Sequence, residues 1–357
     1  MSISELPRNT DQMEIVLAPS EWHPLFDTMY KEARQIQSLC KDYNVSSVSD
    51  RNMMMSTHNG NLVFLPDDSP FEEQPLVKLD MGMTRYAMGQ LCNKIGVPVR
   101  YLDKCISEGM LDLAADNVNA WLQDYNKDLF IREYNGKIRG ILSDRYMTLD
   151  TPEILDVITS VVDGSQYSTK GFHISPERFH ARIIQNDMMN VGGEDLFAGI
   201  QIDSSDVGRS TLTVRFMIFK QVCTNGLCIA KSDGVLFNQR HIGINIDDFR
   251  CEFRESMKRI PELVDNFTSI VEESRKPDPK YSIERFTEQE LAEFTGSLKL
   301  KTRLSDDSVG KVIQFMQEKY SPTRWGLINS ITEVAQDFTL ERRVELEKFA
   351  GDLLIAA

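Results

Sequence analysis

Residues 208–245, GRSTLTVRFMIFKQVCTNGLCIAKSDGVLFNQRHIGIN, decide how this chain is built. Within them Ser210 to Val222 is the longest strand-like run of the sequence. Leu212, Val214, Phe216, Ile218 and, at its end, Lys220 fall on one face, and Thr211, Thr213, Arg215, Met217 and Phe219 on the other. The period of two specifies a strand inside a sheet. CTNG follows at once, Cys223 to Gly226, and reads as a structural turn: Thr224 and Asn225 organise the backbone and Gly226 allows a conformation or close approach closed to larger residues. The alternative is a ligand-contacting turn whose backbone donors face a phosphate. No GxxxxGK[ST] pattern accompanies it.

Working outward, hairpin-like connections outnumber strand-helix-strand units, so the expected class is α+β, with a central antiparallel or mixed sheet and packed helices. A small helical section precedes it and a helical carboxy-terminal module follows. Three units are expected: an amino-terminal mixed and helical region at 1–127, a central α+β domain at 128–275, and helices at 276–357. The first contains an amphipathic helix over Leu25 to Tyr43, a strand pair around Asn59-Gly60, and short helices begun by Thr84, ended by Gly96 and resumed after Pro98. At 128 the pattern changes to LFIREY and KIRGILS, joined by Asn135-Gly136, a dipeptide that favours a tight hairpin, and then to a helix with Pro152 in its first turn. Pro176 interrupts the alternation of 172–185. Beyond Asn245 a long helix to about Arg275 steps at Pro261, RKPDPKYS forms a linker, and helices are expected over 284–299, 306–320 and 330–354.

The chain is 41% apolar and 26% charged, the composition of a folded protein. No apolar run approaches the roughly 20 residues that cross a bilayer, and the first residues carry neither a basic lead-in nor an apolar signal segment, so a soluble, cytoplasmic protein is expected, in a host cytoplasm if the source is a phage. Six cysteines without a CxxC are expected to be reduced, four of them as small buried apolar side chains. The net charge of −14 repels nucleic acid and anionic membrane at long range. Between Arg209 and Asn245, however, Arg209, Arg215, Lys220, Lys231 and Arg240 stand against Asp233 alone. Local and global sign disagree, which keeps a basic groove in view.

Arginine forks bind phosphate and aromatic rings stack on bases, so Arg132, Arg139, Arg145 and Tyr146, together with Arg209, Arg215, Lys220 and Arg240, are the candidate nucleic-acid-binding residues. The structural alternative for the first of these stretches has Arg139 and Arg145 paired with Glu133 and Asp144 while Tyr134 and Tyr146 cover a sheet edge. A zinc site from Cys223, Cys228 and His241 with His173 or His180 has non-specific spacing, and neither a cysteine-histidine nucleophile nor a nuclease centre from Asp144, Asp150, Glu153 and Asp156 has a local pattern to support it. No catalytic residue, metal or cofactor is expected.

The combination ILSDRYMTLDTPEIL, GRSTLTVRFMIFKQVCTNGL and RHIG resembles a poorly characterised phage- and plasmid-associated family over about residues 50–275. In that resemblance Arg145 and Tyr146 fall in an SDRY motif and Cys223 to Gly226 in a CTNG motif; no activity comes with it. Residues 128–259 are also similar to phage single-strand annealing proteins and their recombination-mediator relatives, which the resemblance implies would combine a strand-hairpin-helix core with a basic groove and act as rings or filaments. The expected function is therefore binding or annealing of single-stranded DNA during replication or recombination, by a protein that assembles into homo-oligomers. The alternative is a non-enzymatic assembly factor that covers a host or phage protein, such as an inhibitor of host defence; a metal-dependent nuclease ranks third.

Overall fold

The computed structural model of the chain describes residues 15–16, 25–45, 53–58, 61–66, 81–125, 127–220, 225–228, 234–241, 243 and 245–355. Strand β1 (Ile15–Val16) and helix α1 (Leu25–Ser38) lead into β2 (Cys40–Val45), β3 (Met53–His58), β4 (Asn61–Pro66) and β5 (Met81–Met83). Helices α2 (Arg85–Ile95), α3 (Val99–Ser107) and α4 (Leu111–Asp124) come next, then β6 (Leu129–Tyr134), β7 (Lys137–Ser143) and α5 (Thr151–Val161). The second half opens with β8 (Tyr167–Ile174), β9 (Phe179–Val191), β10 (Glu194–Ser204), β11 (Leu212–Lys220), β12 (Asn225–Cys228) and β13 (Val235–Gln239). It closes with α6 (Ile246–Lys258), α7 (Ile260–Ser274), α8 (Glu288–Thr302), α9 (Asp306–Glu318), α10 (Arg324–Val334) and α11 (Leu340–Ile355).

The fold is α+β. Among the described residues the strands form two sheets: one of seven strands in the order β1-β8-β9-β10-β11-β12 with β13 also on β11, and one of six in the order β2-β6-β7-β5-β4-β3. Every pairing among the described residues is antiparallel except β5 with β7, which makes the smaller sheet mixed.

Local chemistry sets many of the boundaries. Thr84 caps α2 by accepting from the Ala87 N–H, and Gly96 ends it at φ 75°. Asn135 and Gly136 both take positive φ, as a two-residue hairpin requires. Pro261 follows the step between α6 and α7 at Arg259, and Pro176 lies in the β8–β9 loop, where no ladder N–H is needed.

Tertiary pairing moved other boundaries. The helix expected to reach Tyr43 stops at Ser38 because Cys40–Val45 pairs residue by residue with Tyr134–Leu129 of β6. The single helix expected over 330–354 is two, since Phe338 takes an extended backbone between a 3-10 turn at Ala335–Asp337 and α11 and packs its ring on the core. Asn225 and Gly226 lie in β12, opposite Lys220 and Phe219, whereas Thr224 falls outside the described residues. Their expected place in the turn itself is therefore corrected: Asn225 and Gly226 are strand residues.

Neither expected domain boundary coincides with a break in packing. The one at 127/128 runs through the six-stranded sheet, in which β2 and β5 flank the β6–β7 hairpin. The one at 275/276 runs through a continuous core in which Leu298, Val312, Ile328, Ile331 and Leu354 cluster with Phe216, Ile200, Phe253 and Phe267. A second cluster seats α2, α3 and α4 on Leu129, Ile131, Ile138 and Ile141 of the hairpin.

Both faces of β11 are covered. Leu212, Val214, Phe216 and Ile218 join the main core as their alternation requires, and Met217 and Phe219 form a small cluster with Ile184 and Phe197 on the reverse face. Farther along that reverse face the side chains turn polar, and the site begins there.

Candidate functional site

The polar end of the reverse face is set by register. His173 lies opposite His180, and His180 opposite Asp203; Asp203 lies opposite Thr213, while Gln201 lies between Arg182 and Arg215. Cross-strand neighbours on one face are close enough to bond. His180 Nδ1 is 2.8 Å from Asp203 Oδ1, and Asp203 Oδ2 accepts from Arg215 at 2.7 Å and from Gln201 at 2.9 Å. Burial opposes ionisation of Asp203, but the hydrogen bond and charge of His180 and the charges of Lys348 and Arg215 outweigh it and hold the carboxyl well below its usual range.

His173, His180, Asp203, Thr213 and Arg215 floor a cleft of about 730 Å³. Its walls come from the β6–β7 hairpin (Tyr134, Lys137, Arg139), the loop Ser175–Arg178, the segment Arg209–Thr211, and Thr339 with the first turns of α11 as far as Lys348. Lys137, Arg178, Arg209, Arg215 and Lys348 supply five cationic side chains against the carboxylates of Glu177, Asp203, Glu341 and Glu345, and the buried Arg139 backs the wall. In a chain of net charge −14, this is a local reversal of sign.

Behind the cleft the two sheets are joined by a buried polar junction. Arg132, 1% exposed, donates through all five of its N–H groups: to Asp42 at 3.0 and 3.1 Å, to Asp150 at 2.6 and 2.6 Å, and to the Asp206 carbonyl at 2.7 Å. Arg139, equally buried, donates through Nη1 to the Pro176 carbonyl and to Asp206 at 3.5 Å. Its Nε and Nη2 have no hydrogen-bond partner among the described residues, and a cavity of about 10 Å³ beside it, shared with Asp150, Thr151 and Asp206, has room for one water.

The segment after β10 ties this junction together. Ser205 Oγ donates to the Glu177 carbonyl and accepts from the Arg209 N–H, while Gln90 bridges the Val207 carbonyl and the Ile141 N–H. Gly140 makes the approach of Val207 feasible, since a Cβ there would lie 3.0 Å from the Val207 side chain. Burial and the neighbouring Asp150 charge push the Asp206 carboxyl up to about 6 against the pull of Arg139 and Arg132. Burial, helped by Arg132 and opposed by Asp150, lowers His241 to about 4.

The predicted nucleic-acid residues thus divide. Arg139, Arg209 and Arg215 converge on the cleft. Arg132 does not face solvent; it is consumed by the junction. Lys220 pairs with Glu194 at 3.0 Å, away from the cleft. Tyr146 is stacked between Phe130 and His241, at 6.2 and 5.4 Å between ring centroids, and donates to the Ser205 carbonyl, so its faces are already covered. Arg145 and Arg240 are exposed but do not line the cleft. Sequence reasoning did not single out Arg178, Asp203, Glu341 or Lys348. The hairpin register that opposes His173 to His180, and the shared face of Asp203 and Arg215, were the available signals.

The other candidates disperse. Asp144 and Asp156 are exposed, Asp150 serves Arg132, and Glu153 caps α5 by accepting from the Asp150 N–H at 2.8 Å. His241 Nε2 lies 3.2 Å from Ser204 Oγ, and Cys223 falls outside the described residues. Among the described residues no three His, Cys, Asp or Glu side chains are grouped to hold a metal. Cys92 and Cys105 are buried, as expected of small apolar side chains, whereas Cys40 is half-buried and Cys251 exposed; all four are free thiols.

A family model matches residues 139–351, well over half of the chain, and is described as a domain of unknown function (DUF932). The chain belongs to the DUF932 family. The match takes in Arg139, the junction segment, the reverse face of the larger sheet and all but the last residues of α11, so the cleft is built almost wholly from the DUF932 region. No curated protein and no solved structure matches this DUF932 chain. No helix among its described residues is long and apolar enough to cross a membrane.

Proposed function

We propose that the chain binds single-stranded nucleic acid, gripping the phosphates of a short segment in the cleft between the two sheets, and that it does so as a phage-type replication or recombination factor. The observation that carries this reading is the convergence of Lys137, Arg178, Arg209, Arg215 and Lys348 on one concavity of a strongly acidic protein, with the buried Arg139 behind its wall. Phosphate contacts supply most of the affinity of sequence-independent binding, and a cationic concavity focuses the field that attracts a strand to it.

The cleft volume of about 730 Å³ suits a few nucleotides of flexible strand. Tyr134, half-buried in the cleft wall, offers a ring face on which a base stacks. Nothing in this reading requires bond breaking: the His180–Asp203–Arg215 network fixes the floor, and the lysines at the mouth contribute charge.

Fluorescence anisotropy with a labelled oligothymidine over a salt series tests the proposal. Three to four phosphate contacts predict a slope of log K against log salt of roughly −2 to −3. Replacing both Lys137 and Lys348 by alanine lowers the magnitude of that slope by about 1.4. Arg145→Ala and Arg240→Ala leave it unchanged. Absence of binding at low salt would defeat the proposal and favour the assembly-factor reading.

A further inference from the structure

Glu341 occupies a singular position at the cleft. It stands in the first turn of α11, and its carboxylate bridges two arginines from separate segments: Oε1 accepts from Arg178 Nη2 at 2.6 Å, and Oε2 lies 3.8 Å from Arg209 Nη2. Arg178 belongs to the β8–β9 loop and Arg209 to the segment after β10. Arg209 is held on its other sides by Glu177 at 3.0 Å and by the face of Tyr86 at 5.4 Å, so its fork is fixed in place.

All three groups of the bridge remain partly open, at 29%, 35% and 55% side-chain exposure for Arg178, Arg209 and Glu341. A carboxylate held between two guanidinium forks has the geometry by which such forks take phosphate, which offers more acceptor oxygens than a carboxylate.

We propose that Arg178 and Arg209 form a phosphate subsite at the mouth of the cleft and that Glu341 is its internal stand-in, displaced when a phosphate of the bound strand enters. This rests on the reading of the cleft as a nucleic-acid site. In the free protein Glu341 holds the amino-terminal turn of α11 against the Ser175–Arg178 loop; in the bound protein the strand takes over both arginines and Glu341 returns to solvent. The carboxylate thereby competes with ligand, sets the affinity below what the cations alone would give, and disfavours anions too weak to replace it.

The test is a double-mutant cycle on the full chain with a labelled twelve-residue oligothymidine as probe. Glu341→Gln removes the competing charge and keeps the shape, so it is expected to bind about three- to fivefold more tightly than wild type. In an Arg178→Ala background the same change is expected to give a smaller gain, because Glu341 then competes only at Arg209. Glu318→Gln, an exposed carboxylate on α9 outside the cleft, controls for total charge. Thermal unfolding of each variant establishes that it is folded.

Unchanged or weaker binding by folded Glu341→Gln, or an equal gain from Glu318→Gln, overturns the subsite while leaving the nucleic-acid reading standing. Absence of binding by wild type and every variant at low salt overturns both.

Discussion

Arg132 shows how a side chain can mislead when read alone. In LFIREY it looks like a solvent-facing cation on a half-buried strand, and arginine is the residue most often enlisted for phosphate. Its partners Asp42 and Asp150 lie 90 and 18 residues away, and nothing local marks them. Once buried and fully hydrogen-bonded, such a group is costly to lose. Arg132→Met leaves two carboxylates facing an apolar replacement, and urea unfolding is expected to register a loss of about 3–5 kcal/mol. Breaking the exposed Lys258–Glu255 pair is expected to cost less than about 1 kcal/mol.

The same junction makes a pH prediction. His241 has a folded value lowered to about 4, so its stabilising contribution is complete above the ordinary imidazole range and is lost as the pH falls toward 4. Asp206 is raised to about 6, so its contribution is complete below the ordinary carboxylate range and is lost as the pH rises to about 6. Between about pH 4 and 6 the two oppose each other. In Asp206→Asn one of them is gone, and the stability of the variant relative to wild type should rise with pH across that window by up to about 1.4 kcal/mol per unit. Urea midpoints at three pH values decide the matter: a difference that stays flat or falls contradicts this account of the junction.

At the scale of elements, alternation, caps and turns were largely legible. The two faces of β11, the Thr84 and Gly96 ends of α2, the Asn135-Gly136 hairpin and the step at Pro261 follow from short-range chemistry, and the structure has them. What could not be read was pairing at a distance. Cys40–Val45 becomes a strand only because β6 is there to receive it, and the extended Phe338 divides a helical pattern only because the core takes its ring. Two devices hold α11 and β10 in place. Arg182 on β9 and Glu347 on α11 form an ion pair with both side chains 1% exposed, fastening the helix that walls the cleft. Gly199 sits at the irregularity between β10 and β9, where a Cβ would come within 2.3 Å of the Ile183 carbonyl oxygen. Gly199→Ala must therefore shift backbone, and a loss of roughly 2 kcal/mol or more by chemical denaturation is expected, whereas Gly296→Ala on α8, with open space around it, should be neutral or slightly stabilising.

For the molecule as a whole, the α+β class was legible, and the sharing of one core across residue 275 was not. Composition and hairpin signals carry no information about which helices share a core with which strands, and RKPDPKYS reads as a linker although the helices beyond it return to the same core as β11. A chain ending at residue 275 would expose the apolar surface against which Leu298, Val312, Ile328 and Leu354 pack, so it should fail to unfold cooperatively. An independently folded 1–275 fragment would contradict the sharing of the main core across residue 275. The cleft was legible only in part: the sequence pointed to Arg139, Arg209 and Arg215, but the convergence depends on the β9–β10–β11 register and on α11 closing one side. The most direct test of the central claim is photo-crosslinking of a 4-thiothymidine oligonucleotide to the full chain, with the attached peptides mapped by mass spectrometry. Crosslinks within 134–139, 173–180, 209–215 and 339–348 are the expected result; crosslinks confined to the exposed surface around Arg145 and Arg240, or none at all, would contradict it.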